Sequence, residues 1–98
     1  MKIHYKRPFA QFVKKSRKPL ELAIEDKVLL VCKNPEIGKQ KVGDLHDLFI
    51  YKFRFNGQDY LMAYKYGPKK RGLEILWIDF YKVGSHENFY AELKKFIH

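Results

Sequence analysis

His86 stands four residues before Tyr90, and Lys52 and Arg54 stand two apart in an alternating stretch. On a strand, residues two apart point the same way, so the two cations share one face. A paired Lys and Arg there suit a phosphate group. An imidazole titrates near neutrality and serves as a general base. Each feature also has a plainer reading. Sheet faces turned to water carry Lys and Arg, and a His near a helix start is often only part of the capping turn. The chemistry they allow together is acid–base work on a phosphate. Metal and cofactor signatures are missing from the sequence. His4, His46, His86 and His98 are scattered, with no pair three or four residues apart, and Cys32 is the single cysteine. No zinc or calcium spacing exists. The segment GPKKRG at 67–72 lacks the P-loop pattern, and no Gly-x-Ser-x-Gly elbow is present. The expectation is no metal and no cofactor.

The element that must position Lys52 and Arg54 is FIYKFRF-NG-QDYLMAYKY, residues 49–66. Two alternating runs flank Asn56-Gly57, the strongest short-range hairpin signal. A two-residue turn fixes the register. Phe55 faces Gln58, Phe53 faces Tyr60, Tyr51 faces Met62 and Phe49 faces Tyr64. On the other face Arg54 meets Asp59, Lys52 meets Leu61 and Ile50 meets Ala63. The first face is aromatic and belongs in the core. The second carries the cations.

His86 and Tyr90 are positioned by the strand and helix C-terminal to the hairpin. Residues 73–83, LEILWIDFYKV, read as a third strand, apolar on both sides and therefore central. Gly84 breaks it, and Ser85 serves as N-cap of a closing helix. Phe89, Leu93, Phe96 and Ile97 form the buried stripe of that helix. His86 then occupies its first position, where the dipole favours a neutral imidazole. Upstream, KIHY alternates as a short strand. Pro8 begins a helix striped by Phe9, Phe12 and Val13. Pro19 opens a second helix with Leu20, Ala23, Ile24, Val28 and Val31 on one side, ending near Lys33 before Asn34-Pro35. The two helices form a hairpin joined around Ser16–Lys18. Asn34 to Asp47 is a linker that passes Lys39 and Lys41.

The chain has 98 residues, 46% of them apolar and 16% aromatic, which is one domain with one core, residues 1–98. Twenty Lys and Arg against eleven Asp and Glu give a net charge of +9. That balance points to a polyanion as partner. Residues 1–19 hold seven cations and no carboxylate. Lys69, Lys70 and Arg71 form a basic turn, and Lys65 and Lys82 add charge to the sheet. A lone cysteine in an apolar run reads as a structural thiol in a reducing cytoplasm. No signal peptide is read at the N-terminus, and no stretch approaches the length of a membrane span.

The order of elements, with the words NPEIGKQKVGDL, IYKFRF-NG-QDYLMAY and VGSHENFYAELKKF, resembles the RelE/ParE superfamily of bacterial type II toxin–antitoxin toxins. The resemblance covers nearly the whole chain. It implies an α+β fold: a twisted antiparallel sheet of three or four strands, an N-terminal helical hairpin on one face and a short C-terminal helix. It also implies a metal-independent ribonuclease that cuts mRNA on the ribosome by attack of the 2′-OH on the neighbouring phosphate. RelE-like members use basic residues where this chain has Lys52 and Arg54, and a Tyr where it has Tyr90. Members similar to YafQ and YoeB have a His at the position of His86. Where RelE-like toxins carry an Arg after the hairpin turn, this chain has Leu61, which passes charge neutralisation to Lys82, Lys65 or Arg71. The ParE branch instead inhibits DNA gyrase without catalysis. Either branch implies an acidic, amphipathic antitoxin as partner.

Overall fold

The computed structural model describes residues 1–45, 47–68 and 72–97. Five strands form one sheet: β1 (Lys2–Tyr5), β2 (Lys39–Gln40), β3 (Phe49–Phe55), β4 (Gln58–Gly67) and β5 (Trp77–Ser85). Their spatial order is β1-β5-β4-β3-β2. Three helices accompany them: α1 (Arg7–Lys15), α2 (Lys18–Lys33) and α3 (Phe89–Ile97).

The hairpin follows its turn. Asn56 and Gly57 adopt positive φ of 50° and 78°, and all seven expected cross-strand pairs of β3 and β4 are present. The sheet is larger than three or four strands, and mixed. β1 runs parallel to β5, with Ile3 opposite Ile78 and Tyr5 opposite Phe80. The two-residue β2 caps the opposite edge by pairing Lys39 with Ile50. The central strand is β4, not β5, because β5 has β1 on its outer side. The strand starts at Trp77 and not at Leu73, and Leu73 and Leu76 before it are exposed.

The helical hairpin covers one face of the sheet. Phe9, Ile24, Val28 and Val31 pack there with Phe49, Phe53, Met62, Tyr64, Tyr66, Ile78, Phe80 and Val83. Each large apolar side chain buried this way stabilises the fold by about 1.5–3 kcal/mol. Aromatic contacts add to this: Phe53 and Tyr60 stack at 5.5 Å, and Phe49 meets Tyr66 at 4.8 Å. Cys32 is half-buried at the margin of this core, and burial pushes its thiol up. Tyr64 ties the linker down. Its hydroxyl donates to the Pro35 carbonyl at 2.6 Å and accepts the Gly38 amide at 2.9 Å.

The other face, which bears the cations at its tip, carries a second core. Ile50, Leu61 and Ala63 pack with Leu45, Leu48, Phe89 and Leu93 of α3. Phe96 is the exception in the expected α3 stripe, since it stays exposed and meets the edge of Tyr81. α1 and α2 thus lie on one side of the sheet and α3 on the other, and the hairpin tip that carries Lys52 and Arg54 stays exposed.

Candidate functional site

Lys52 and Arg54 lie at that tip. Their side chains are 61% and 69% exposed. Asp59 stands opposite Arg54 on β4 and faces both cations. Lys52 Nζ is 3.5 Å from Asp59 Oδ2, and Arg54 Nη1 is 3.6 Å from Asp59 Oδ1. Arg54 also donates through Nη2 to the Gly57 carbonyl at 3.1 Å, which curls it over the turn. Two positive charges and one negative thus share a solvent-facing patch.

His86 reaches the same place from the other side, by a route that corrects the expectation from sequence. β5 does not stop at Gly84. It continues to Ser85, because Leu61 pairs with Gly84 and Tyr60 with Ser85 along the ten-residue β4. A side-chain carbon at Gly84 would stand at ordinary van der Waals distance, 3.7–3.9 Å, from the Phe12 and Phe89 rings, so neither space nor φ stops the strand there. Ser85 is therefore a strand residue and not an N-cap. His86–Asn88 form a bend and turn, and α3 begins at Phe89. Its first bond runs from the Glu92 amide to the Asn88 carbonyl, with Asn88 at a positive φ of 59°. His86 thus precedes the helix and lies outside its first turn. The dipole argument for a neutral ring does not hold here.

His86 is instead tied to the hairpin through its backbone. Its amide donates to the Asp59 carbonyl at 3.3 Å, so the bend is hung from the strand end that carries the counter-charge of Lys52 and Arg54. The His86 and Tyr90 rings meet edge to face at 6.2 Å. Tyr90 is half-buried beside the second core, and Lys41 Nζ stands 4.7 Å from the centre of its ring. A cleft of about 210 Å³ lined by Lys41, Val42, Leu45, Tyr90 and Lys94 continues the face toward the linker.

The remaining cations divide. Lys82 lies on β5 opposite Ala63, but its side chain is only 15% exposed. It is ion-paired with Glu92 at 2.9 Å, with Nζ 5.5 Å from the Phe89 ring centre. It borders a polar cleft of about 380 Å³ that includes Ser85, Glu87 and Asn88, next to the His86 bend. Lys65 is six residues along β4 from Asp59, roughly 20 Å at strand rise. It sits 5.5 Å from the Tyr81 ring centre and is not gathered with Lys52. Lys69, Lys70 and Arg71 lie outside the described residues. Leu61 is 2% exposed beneath α3, so the position that would bear an Arg is spent on packing.

Asp59 and Lys41 join the site without having been singled out by type or spacing. Asp59 could be found from the hairpin register, which already sets it against Arg54. Lys41 has no such signal, since its place over Tyr90 depends on how the linker crosses to β3. Among the described residues no group of three or more His, Cys, Asp or Glu side chains could hold a metal ion, and no helix is long and apolar enough to cross a membrane.

A sequence model of the family described as ParE-like toxin of type II bacterial toxin–antitoxin system matches residues 3–94. The chain belongs to that family. In fold, this ParE-like toxin is similar to a chain in the crystal structure of the intact E. coli RelBE toxin–antitoxin complex, with a TM-score of 0.66. The likeness covers 88% of this chain and 96% of that one at 19% sequence identity. No curated protein sequence matches it. Sheet, helical hairpin and closing helix are thus the architecture of a RelE/ParE toxin.

Proposed function

We propose that this toxin is an endoribonuclease that cuts ribosome-bound mRNA in the cytoplasm without a metal ion, by attack of a 2′-OH on the adjacent phosphorus. The observation that carries the reading is the hydrogen bond from the His86 amide to the Asp59 carbonyl, which brings an exposed imidazole to the end of the face that bears Lys52 and Arg54. In the reaction His86 takes the proton of the 2′-OH. The 2′-oxygen bonds to phosphorus, the bond to the 5′-oxygen breaks, and that oxygen leaves with a proton from solvent water, while protonated His86 returns its own proton to solvent. The products are a 2′,3′-cyclic phosphate and a 5′-OH. Lys52 and Arg54 balance the charge that grows on the phosphoryl oxygens. Tyr90 orients the phosphate or donates a hydrogen bond to it. Lys82 reinforces the site once Glu92 releases it, Lys65 holds more distant backbone, and Lys69, Lys70 and Arg71 add positive charge for RNA. The test is single-turnover cleavage of mRNA on programmed ribosomes. Defined cuts with cyclic phosphate ends support the reading, and intact mRNA overturns it.

The antitoxin partner follows from the family, and its chemistry from the surface. An acidic, amphipathic segment complements the net charge of +9. Its apolar side fits the groove of about 560 Å³ lined by Tyr5, Phe9, Val13, Ile24, Val28 and Leu29.

A second reading, inhibition of DNA gyrase by binding alone, is favoured by two observations. Leu61 is buried at the position where the resemblance to RelE-like toxins implies an Arg, and the family that matches is ParE-like. Measuring protein synthesis and DNA supercoiling side by side after induction separates the two.

A further inference from the structure

Lys52 and Arg54 are not idle cations. Each faces a different oxygen of one carboxylate, Oδ2 for Lys52 and Oδ1 for Arg54. A phosphate diester presents two non-bridging oxygens in much the same way. We infer that Asp59 is a built-in competitor for the phosphate site, a carboxylate that occupies the place between Lys52 and Arg54 and must swing away when an RNA phosphate binds. The inference rests on the phosphate-binding role proposed above for that pair.

Three features of the contact support exchange over permanent pairing. The distances of 3.5 and 3.6 Å exceed the roughly 2.7–2.9 Å of a tight charge-assisted bond, so the contact is loose. Lys52 and Arg54 are well exposed and Asp59 is partly so, which weakens the ion pairs. And the backbone of Asp59 is fixed, since its carbonyl holds the His86 amide and its residue is locked opposite Arg54. Displacement therefore needs only a side-chain rotation, and the strand and the His86 bend stay in place. The consequence is selectivity. A lone phosphate competes with an attached carboxylate, whereas an RNA that also engages neighbouring cations displaces it.

The opposite role is equally concrete. If Asp59 only steadies the two cations for their ligand, removing its charge weakens binding. Full-length protein is titrated with a short, fluorescently labelled 2′-O-methyl RNA, which lacks a free 2′-OH. Asp59→Asn and Asp59→Ser are each expected to tighten binding about three- to fivefold, the range an exposed ion pair supplies. Asp26→Asn, a distant carboxylate on α2, changes affinity less. In the Lys52→Ala/Arg54→Ala background the gain from Asp59→Asn vanishes. Unchanged or weaker binding by both Asp59 variants overturns the inference. So does a gain matched by Asp26→Asn, or one that persists without Lys52 and Arg54. Failure of the underlying reading looks different: Lys52→Ala/Arg54→Ala then binds RNA as tightly as wild type.

Discussion

The backbone amide of His86 donates to the backbone carbonyl of Asp59 at 3.3 Å, so the bend is held by main chain and leaves the imidazole to the solvent face. Side-chain replacement at His86 therefore tests chemistry and not architecture. His86→Gln is expected to lower single-turnover mRNA cleavage by about 10²–10⁴-fold, the usual contribution of a general base. Its thermal midpoint is expected to stay close to wild type, as for most surface substitutions. Unimpaired cleavage by His86→Gln removes the residue from the catalytic set.

Lys52→Ala and Arg54→Ala are each expected to cost roughly 2–4 kcal/mol of activation free energy, by analogy with deleted oxyanion-stabilising donors. Both side chains are well exposed, so stability is expected to move by no more than about 0.5 kcal/mol. The check pairs growth inhibition on induction with a denaturant titration of each variant. Two folded variants with full toxicity exclude the hairpin tip as the active face.

RNA binding is expected to fall steeply with salt. The net charge of +9 makes phosphate contacts the main source of affinity. With about four phosphates neutralised on a single strand, a fourfold rise in salt weakens binding about 50-fold. A titration series across salt concentrations measures the slope, and a flat line removes electrostatics as the driving term.

Tyr64 gives a stability prediction with a pH signature. Tyr64→Phe strands the Pro35 carbonyl and the Gly38 amide, at an expected cost of about 1–3 kcal/mol. Burial pushes the Tyr64 hydroxyl up to about 12. An unfolded tyrosine loses its proton near 10. Between those values the folded state holds more protons than the unfolded one, so stability falls as pH rises, at a limit of about 1.4 kcal/mol per unit. Below that window the contribution is fully present. Urea unfolding from neutral to strongly alkaline pH is expected to show the decline in wild type, and a shallower one in Tyr64→Phe. Parallel curves would assign the alkaline loss to other groups.

The hairpin was legible because Asn56-Gly57 fixes both the turn and the register, and one residue of slip would turn Phe53 to water. The helical hairpin was legible from Phe9, Ile24, Val28 and Val31, whose spacing matches a buried stripe. β1 as a parallel neighbour of β5 was not, since that pairing depends on contacts far apart in the chain. Ser85 misled for a similar reason. Its local preference is to cap a helix, but the ladder to Tyr60 extends the strand through it and moves the helix start to Phe89. Lys82 carried the right charge on the right strand, yet Glu92 on α3 takes it, and only packing of α3 on the sheet brings those two together.

The place of β1 beside β5 also bears on how the chain matures. His4 and Asp79 meet at 3.0 Å across 75 residues of sequence. Pairings of such separation fold slowly, because a long loop must close before they reward it. At about 5–20 residues per second, β1 waits about 4–15 s during synthesis before its partner strand exists. In that interval Phe9 has no Phe80 to pack on, and α1 presents its apolar stripe to whatever is near. The N-terminal strand and helix thus reach their final packing only when the last strand of the sheet has been made.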